Sequence, residues 1–254
     1  MRKAAIDFGF KRTGIAVTDP TGEVVTSVKT IKPSEIVKEI KKISSLSEVV
    51  FGFPVNLKMQ FTKSTIGAVD KSIEVAELIA PVPVYLVDER FTSNIANSSI
   101  SSSKDHKSIV DGISAAIILE DYIHGIKAHR VMWNLPTISS EIISFINAFG
   151  YFKRAYLVGS ALRGVEFSDI AEEYVIFEPD PAYFRMRQRK INDIGIHAFL
   201  HFGVFWDIIL NRLNELDLII CDDENMNEIN RHDFPPNVVV IVEKKLPKVQ
   251  MGEG

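Results

Sequence analysis

The chain has 254 residues, of which 46% are hydrophobic and 24% are charged, and its formal net charge is −4. These values are typical of a globular protein and exclude a disordered or fibrous chain. The single cysteine, Cys221, excludes an internal disulfide and a zinc site built from several cysteines. No run of about 18 apolar residues lacks a charge, and Asp7 comes too early for a signal-peptide core, so we expect a cytoplasmic protein without a membrane partner.

The length suits two domains, each large enough to bury its own core. The turn-rich segment 125–136 predicts the boundary, which gives a first domain over 1–126 and a second over 137–254. Residues 1–126 carry 15 Lys and Arg and 15 Asp and Glu, so the acidic excess lies in the second half. The first half therefore permits a nucleic-acid partner, although it lacks the basic excess that such proteins usually carry.

Hydrophobic periodicity and turn residues predict the elements of the first half. Strands are predicted over 3–7, 13–18, 24–31, 48–53 and 84–87. The first three should form an antiparallel meander. Helices are predicted over 35–44 (capped by Ser34), 66–79 and 108–123, while 92–103 is either helical or loose.

The second half alternates strands with helices. Strands are predicted over 155–158, 174–177, 197–202, 216–220 and 238–242, and helices over 168–173, 183–191, 204–214 and 225–230. Because the strands are rich in Val and Ile and are separated by helices, they predict a parallel, doubly wound, Rossmann-like sheet. The fold class is therefore α/β in both halves.

Three acidic residues lie where apolar segments of the first half meet turns. Asp7 ends the first strand, Glu89 follows the fifth, and Asp111 begins the last helix. Successive strand side chains point to opposite faces, so only one of Asp88 and Glu89 can share a cleft with Asp7. Asp7 can also be a turn residue, and the helix dipole favours Asp111 at a helix N-terminus whatever its role. Carboxylates at strand ends are nevertheless what two-metal phosphodiester chemistry requires.

Four motifs surround these acids in chain order. They are Asp7-Phe-Gly-Phe-Lys-Arg-Thr-Gly-Ile-Ala-Val-Thr-Asp19, Gly52-Phe-Pro-Val-Asn56, Val87-Asp-Glu-Arg-Phe-Thr92, and Asp111 with Ala115, Ala116 and Leu119. Together they resemble the motifs of the YqgF/RuvX family of Holliday-junction-resolvase-like proteins, which are related to the RuvC resolvases. The resemblance implies an RNase H-like mixed sheet with helices and covers half of the chain.

The same resemblance implies a function and a set of site residues. Asp7, Glu89 and Asp111 would be both the catalytic and the metal-binding residues, and the ions would be Mg²⁺ or Mn²⁺, which prefer oxygen ligands. The implied reaction is two-metal hydrolysis of phosphodiester bonds in structured DNA or RNA, either branched DNA or precursor ribosomal RNA.

Five further residues are candidates for substrate binding, and each has a simpler explanation. They are Lys11, Arg12, Asn56, Arg90 and Thr92. The cations could neutralise phosphate or be ordinary surface charges. The two polar residues could orient substrate or water, or cap their loops.

The second half offers a weaker cofactor signal. Gly159 and Gly164 follow its first strand, and Glu178 ends the next one, an arrangement typical of dinucleotide or S-adenosylmethionine sites. Bulky Leu162 and Arg163 stand where small residues are expected. A Rossmann-like scaffold that binds no cofactor, S-adenosylmethionine included, is therefore the favoured interpretation.

The most basic stretch of the chain is formed by Arg185, Arg187, Arg189 and Lys190. It could contact nucleic acid, but a solvated helix face is the favoured interpretation. For the whole chain a metal-dependent nuclease is the leading hypothesis, followed by a nucleic-acid methyltransferase and by a non-catalytic scaffold that keeps both folds. The sequence does not fix the oligomeric state, and a homodimer is one assembly that it permits.

Overall fold

The structure is a computed structural model that describes residues 1–56, 59–89, 106–231, 234–235 and 238–243, with the backbone alone at 106–111 and 226. Two compact units divide the chain, Met1–Trp133 and Asn134–Gly254. The predicted domain bounds, 1–126 and 137–254, stay a prediction. None of the helices in these described ranges is long and apolar enough to cross a membrane.

The first unit is built on a six-stranded mixed sheet. Its strands are β1 (Arg2–Phe8), β2 (Thr13–Thr18), β3 (Val25–Ile31), β4 (Leu46–Phe53), β5 (Val84–Asp88) and β6 (Ala128–Arg130), in the order β3-β2-β1-β4-β5-β6. The antiparallel pairing of β1, β2 and β3 confirms the predicted meander. Since β4 and β5 run parallel to β1, the carboxyl ends of these three strands meet at one edge.

Strand β6 lies inside the segment that was predicted to be a domain boundary. It pairs antiparallel with β5, and the backbone N–H of Val131 donates a hydrogen bond to the carbonyl of Val84 at 2.8 Å. A strand of three residues with little apolar character is too short to show a hydrophobic period in the sequence. Pairing with β5, rather than the local sequence, therefore creates this strand.

The described part of the first unit has three α-helices: α1 (Ile36–Ile40), α2 (Lys63–Ile79) and α3 (His106–Ile123). Ser34 was wrongly predicted as a helix cap. It lies within a short 3-10 turn, Pro33–Glu35, where the carboxylate of Glu35 accepts the backbone N–H of Lys32 at 3.0 Å. Pro33 at the first position of the turn explains the earlier start.

Helix α3 packs on one face of the first sheet. Its Ala115, Ile118 and Leu119 form a buried cluster with Ala5 of β1 and Val50 of β4, among other residues. Side chains one position along these strands point to the opposite face, where α2 contacts β4 and β5. The first sheet is thus covered by helices on both faces.

The second unit is built on a five-stranded sheet in which every neighbouring pair is parallel. Its strands are β7 (Phe152–Val158), β8 (Ala171–Glu178), β9 (Ala198–Phe202), β10 (Asp217–Asp222) and β11 (Val239–Glu243), in the order β11-β10-β7-β8-β9. This order confirms the doubly wound, Rossmann-like prediction, with the topological switch between β7 and β10.

The helices of this unit are α4 (Ser140–Asn147), α5 (Pro181–Ile194), α6 (Trp206–Leu210) and α7 (Met226–Ile229). The helix predicted over 168–173 was wrong, because Ala171 already begins β8 and Val165–Phe167 forms only a 3-10 turn. Pairing of Ala171 with Phe152 of β7 extends the strand through Glu172 and Glu173, which have low strand propensity.

Candidate active site

Asp7 lies near the carboxyl end of β1, next to the centre of the first sheet. The three residues before it, Ala4, Ala5 and Ile6, are fully buried, whereas Asp7 is half-buried. Asp7 shares a strand face with Ala5, which α3 covers. On the neighbouring parallel strand Ile6 is level with Phe51, so Gly52 lies level with Asp7.

Glu89 comes directly after β5, and its carboxylate lies over Gly52 of β4. A Cβ atom at Gly52 would come within 2.4 Å of Glu89 Oε1 and 2.5 Å of Ile118 Cδ1. A side chain at Gly52 would displace the end of Glu89 or of Ile118, and a glycine inside a buried strand is a usual sign of such a close approach. Gly52, which leaves room for the Glu89 carboxylate, therefore lies on β4, between the strand that carries Asp7 and the strand that Glu89 follows.

Electrostatic interaction links the two acids. Burial is the main cause, and together with the negative charges of Asp7 and Asp88 it raises the pKa of Glu89 from 4.5 to about 7. A carboxyl group with this pKa is partly protonated near neutral pH. The pair can therefore hold a cation or, in its absence, retain a proton.

The third predicted acid, Asp111, lies in α3 four residues before Ala115, which packs on Ala5. The helix begins at His106, so Asp111 lies in its second turn rather than at its start, and the helix-dipole explanation no longer applies to it. The side chain of Asp111 is outside the described part of the structure, and its approach to Asp7 stays a prediction. Among the side chains that are described, no group of three or more His, Cys, Asp or Glu is arranged to hold a metal ion.

Lys11 and Arg12 are exposed in the loop between β1 and β2, at the same end of β1 as Asp7. Gly9 opens this loop, and a Cβ atom there would come within 2.5 Å of the carbonyl oxygen of Arg12. The loop's own backbone therefore fills the space that a side chain at Gly9 would need.

Asn56 closes its own loop. Its side-chain amide donates to Gln60 Oε1 at 3.0 Å, and its Oδ1 accepts the backbone N–H of Gln60 at 2.9 Å. Loop capping, one of the two roles left open by the sequence, is therefore present. Arg90 and Thr92 lie outside the described residues.

Sequence reasoning missed two residues beside the acids. Gly52 was noted only as part of a motif, although its position inside a buried strand was the available signal. Phe10 was given no role, and 55% of its surface is exposed in the loop that carries Lys11 and Arg12.

In the second unit, the loop after β7 that carries Gly159 and Gly164 is held by Asp222. Asp222 Oδ2, at the end of β10, accepts hydrogen bonds from the backbone N–H and the hydroxyl of Ser160 at 2.6 and 2.8 Å. Gly159 has φ +78, and a Cβ atom there would lie 2.3 Å from the same oxygen. The carboxylate of Asp222 thus occupies the switch point, where a Rossmann-like sheet usually receives its ligand.

Glu178, a predicted cofactor-binding residue, is fully buried and ion-paired. Its two carboxylate oxygens accept from Arg163 at 2.6 and 2.8 Å, and Arg187 Nη1 lies 3.1 Å from Oε2. Gly164, with φ +98, donates its backbone N–H to Glu166 at 3.0 Å. A bound cofactor would have to displace these contacts, so cofactor binding by Gly159, Gly164 and Glu178 stays a prediction without further support.

Arg187 does not belong to a solvated helix face. It is fully buried, and its guanidinium joins Glu178 to the buried Glu166, whose Oε1 lies 2.8 Å from Nε. Neither interpretation of the basic stretch applies to this residue, because its charge and that of Arg163 together balance two buried carboxylates.

Comparison with known proteins places the similarity in the first unit. A family model named RuvX, described as Holliday junction resolvase, matches residues 1–125. A protein of Mycobacterium leprae named "Putative pre-16S rRNA nuclease" is 32% identical over 137 residues, which cover 50% of this chain and 74% of the relative. A protein of Mycoplasma mobile with the same name is 37% identical over 134 residues, covering 49% and 92%. The structure of T. thermophilus RuvC in complex with a Holliday junction substrate matches with a TM-score of 0.34 and 12% identity, over 52% of this chain and 99% of that one.

Proposed function

Because the chain belongs to the RuvX family, we propose that its first unit is a metal-dependent nuclease that hydrolyses phosphodiester bonds in structured nucleic acid by a two-metal mechanism. Asp7, Glu89 and Asp111 would be its catalytic and metal-binding residues. The observation that carries the proposal is the position of the Glu89 carboxylate, over Gly52 and within electrostatic reach of Asp7.

The two described acids fit a hard divalent cation. Carboxylate oxygens are the ligands that Mg²⁺ and Mn²⁺ prefer. Without a cation, the negative charge of Asp7 contributes to the raised pKa of Glu89. A cation between the two carboxylates would attract both of them and offset this repulsion. A bound divalent ion would favour deprotonation of the attacking water and stabilise the charge on the leaving oxygen.

The chain's own residues would orient the substrate. Lys11 and Arg12 are exposed in the loop that follows β1, and their positive charges would attract the phosphates on either side of the scissile bond. Glu89, with a pKa near neutrality, can hold a proton before the substrate arrives and release it when a cation binds. Gly52 keeps the carboxylate of Glu89 close to β4.

Two kinds of nucleic acid are candidate substrates. The named relatives point to precursor 16S ribosomal RNA, and the description of the matching family points to a four-way DNA junction. We propose the RNA as the preferred substrate, because the Mycoplasma mobile relative aligns over 92% of its length and carries that name.

The test is the Asp7→Asn variant of the full chain, assayed with Mg²⁺ on both substrates. Loss of one carboxylate ligand should reduce cleavage by at least about a hundredfold while the circular dichroism spectrum and the melting temperature stay close to those of the wild type. Asp193→Asn, at an exposed position on α5, is the charge-matched control and should cleave like the wild type. Undiminished cleavage by Asp7→Asn would refute the assigned site, and a wild-type protein that neither cleaves nor binds Mn²⁺ would favour the non-catalytic scaffold.

A further inference from the structure

Phe10 is an aromatic residue in the loop between β1 and β2, three residues after Asp7, and 55% of its surface is exposed. Three residues span at most about 11 Å, so its backbone lies within that distance of Asp7. A single exposed hydrophobic residue is common on protein surfaces and by itself indicates nothing. The contacts around its ring are what distinguish it.

The ring is held in place from two sides. The ring of Phe8 meets it edge-on, with centroids 5.6 Å apart and planes inclined at 74°. Gly67 of α2 lies against it, and a Cβ atom at Gly67 would come within 2.5 Å of Phe10 Cζ. Because the ring rests where α2 has no side chain, it is oriented in advance, and little conformational entropy would be lost when a ligand covers it.

Positively charged residues lie beside Phe10 in space and in sequence. The ammonium group of Lys63, the first residue of α2, lies 5.6 Å from the ring centroid, which is within the range of a cation–π interaction. Lys11 and Arg12 follow Phe10 directly in the loop and are exposed. An exposed aromatic face among cations is the combination by which proteins bind unpaired bases and the phosphates that join them.

We propose that Phe10 stacks on an unpaired base of the substrate close to the scissile phosphate, while Lys63 leaves the ring to bind a neighbouring phosphate. This inference rests on the proposed nuclease function and adds to it that the substrate is unpaired beside the cleavage site. Stacking needs no particular base, because every base has an aromatic face, so Phe10 would select for strand opening and not for sequence.

The experiment uses the full chain with Asp7→Asn as a non-cleaving background. One probe is an RNA stem-loop with 2-aminopurine at an unpaired position, and the other is the same RNA fully paired. Stacking quenches 2-aminopurine fluorescence, so binding and stacking are read from one titration. Phe10→Leu is the main variant, because it keeps an apolar side chain against Phe8 and Gly67 but has no aromatic face, and Phe10→Trp is the matched aromatic control.

Phe10→Leu should weaken binding of the unpaired probe by about 5- to 150-fold and abolish the quenching, while Phe10→Trp keeps both. The paired probe should bind equally to all three proteins. Gly67→Ala should give the same loss of quenching without a lower melting temperature, since it displaces the end of the ring and improves the helix.

The two proposals fail in different ways. If Phe10→Leu binds and quenches the unpaired probe like the background protein, the stacking role is refuted and the nuclease proposal is untouched. If the background protein binds neither probe and the wild type cleaves neither RNA nor DNA, the nuclease proposal is refuted, and the stacking role with it.

Discussion

At the residue scale, the candidate site depends on Gly52 as much as on the acids. A Cβ atom at this position would overlap Glu89 Oε1 and Ile118 Cδ1, at 2.4 and 2.5 Å. Both atoms are the mobile ends of side chains, so the fold can adapt by moving them, but the carboxylate would then leave its place. A substitution at Gly52 should therefore displace the Glu89 carboxylate while it changes the stability of the protein only slightly.

Gly52→Ala should lower cleavage by about a hundredfold, because displacing a catalytic group by about 1 Å has effects of this size. The melting temperature should fall only slightly. Gly112→Ala is the matched control, since a Cβ atom there meets Val28 Cβ at 3.6 Å, an ordinary contact, and it should cleave normally. Normal cleavage by Gly52→Ala would show that the position of Glu89 is not critical.

The raised pKa of Glu89 predicts a pH-dependent stability in metal-free protein. In the folded state the carboxyl keeps its proton up to about pH 7, whereas in the unfolded chain it loses the proton near 4.5. Between these values the folded state binds more protons, so this group's contribution to stability falls as the pH rises. Glu89→Gln should therefore raise the melting temperature more at pH 8 than at pH 4, measured in EDTA. Glu77→Gln, exposed on α2, should show no such difference, and an equal shift at both pH values for Glu89→Gln would contradict the assignment.

Sequence reasoning selected Asp7 and Glu89 as candidates, but it did not find the contact that positions the Glu89 carboxylate. The alternation of strand side chains limited the choice to Asp88 or Glu89, and the resemblance selected Glu89. The role of Gly52 depends on the register of β4 against β5, which places Gly52 beside Val87. Register between strands that are distant in sequence leaves no local signal, so only the structure reveals this contact.

At the element scale, most elements were predicted, short ones such as β5 and β9 included, but α4, β6 and the start of β8 were not. Helix α2 and the strands β2 and β10 have strong apolar patterns, and tertiary pairing merely extends such elements at their ends. Strand β6 and the start of β8 exist because a neighbouring strand pairs with them. The same applies to Arg187, whose surroundings on α5 are set by residues of β8 and of the turn before it.

Arg187→Met should destabilise the protein by about 3–5 kcal/mol, because the buried carboxylate of Glu166 loses its cationic partner. Urea unfolding followed by circular dichroism measures this change. Adding Glu166→Gln to Arg187→Met should recover part of the loss, since the uncompensated charge is removed. Arg189→Met, exposed on the same helix, should cost less than about 0.5 kcal/mol, and an equal cost for both arginines would refute the buried network.

At the scale of the whole molecule, the two units differ in what supports a function. The family match ends at residue 125, and the candidate acids all lie before that point. In the second unit, acids of the chain occupy the places where a Rossmann-like sheet would bind a cofactor, through the contacts of Asp222 with Ser160 and of Glu178 with Arg163. The nuclease proposal therefore needs only the first unit.

The extent of the first unit can be tested with two truncated chains, 1–133 and 1–126. The shorter chain ends before β6, so it loses the pairing of Leu86 with His129 and of Val87 with Ala128, and it also loses Val131, which is only 2% exposed. Without β6 the edge of β5 is left unpaired directly before Glu89, which both destabilises the sheet and invites aggregation. We expect 1–133 to unfold cooperatively and to cleave within tenfold of the full chain, and 1–126 to unfold at a lower urea concentration with reduced cleavage. If the two truncated chains are equally stable, β6 does not contribute to the folding unit, and if 1–133 cannot fold, the first unit depends on the rest of the chain.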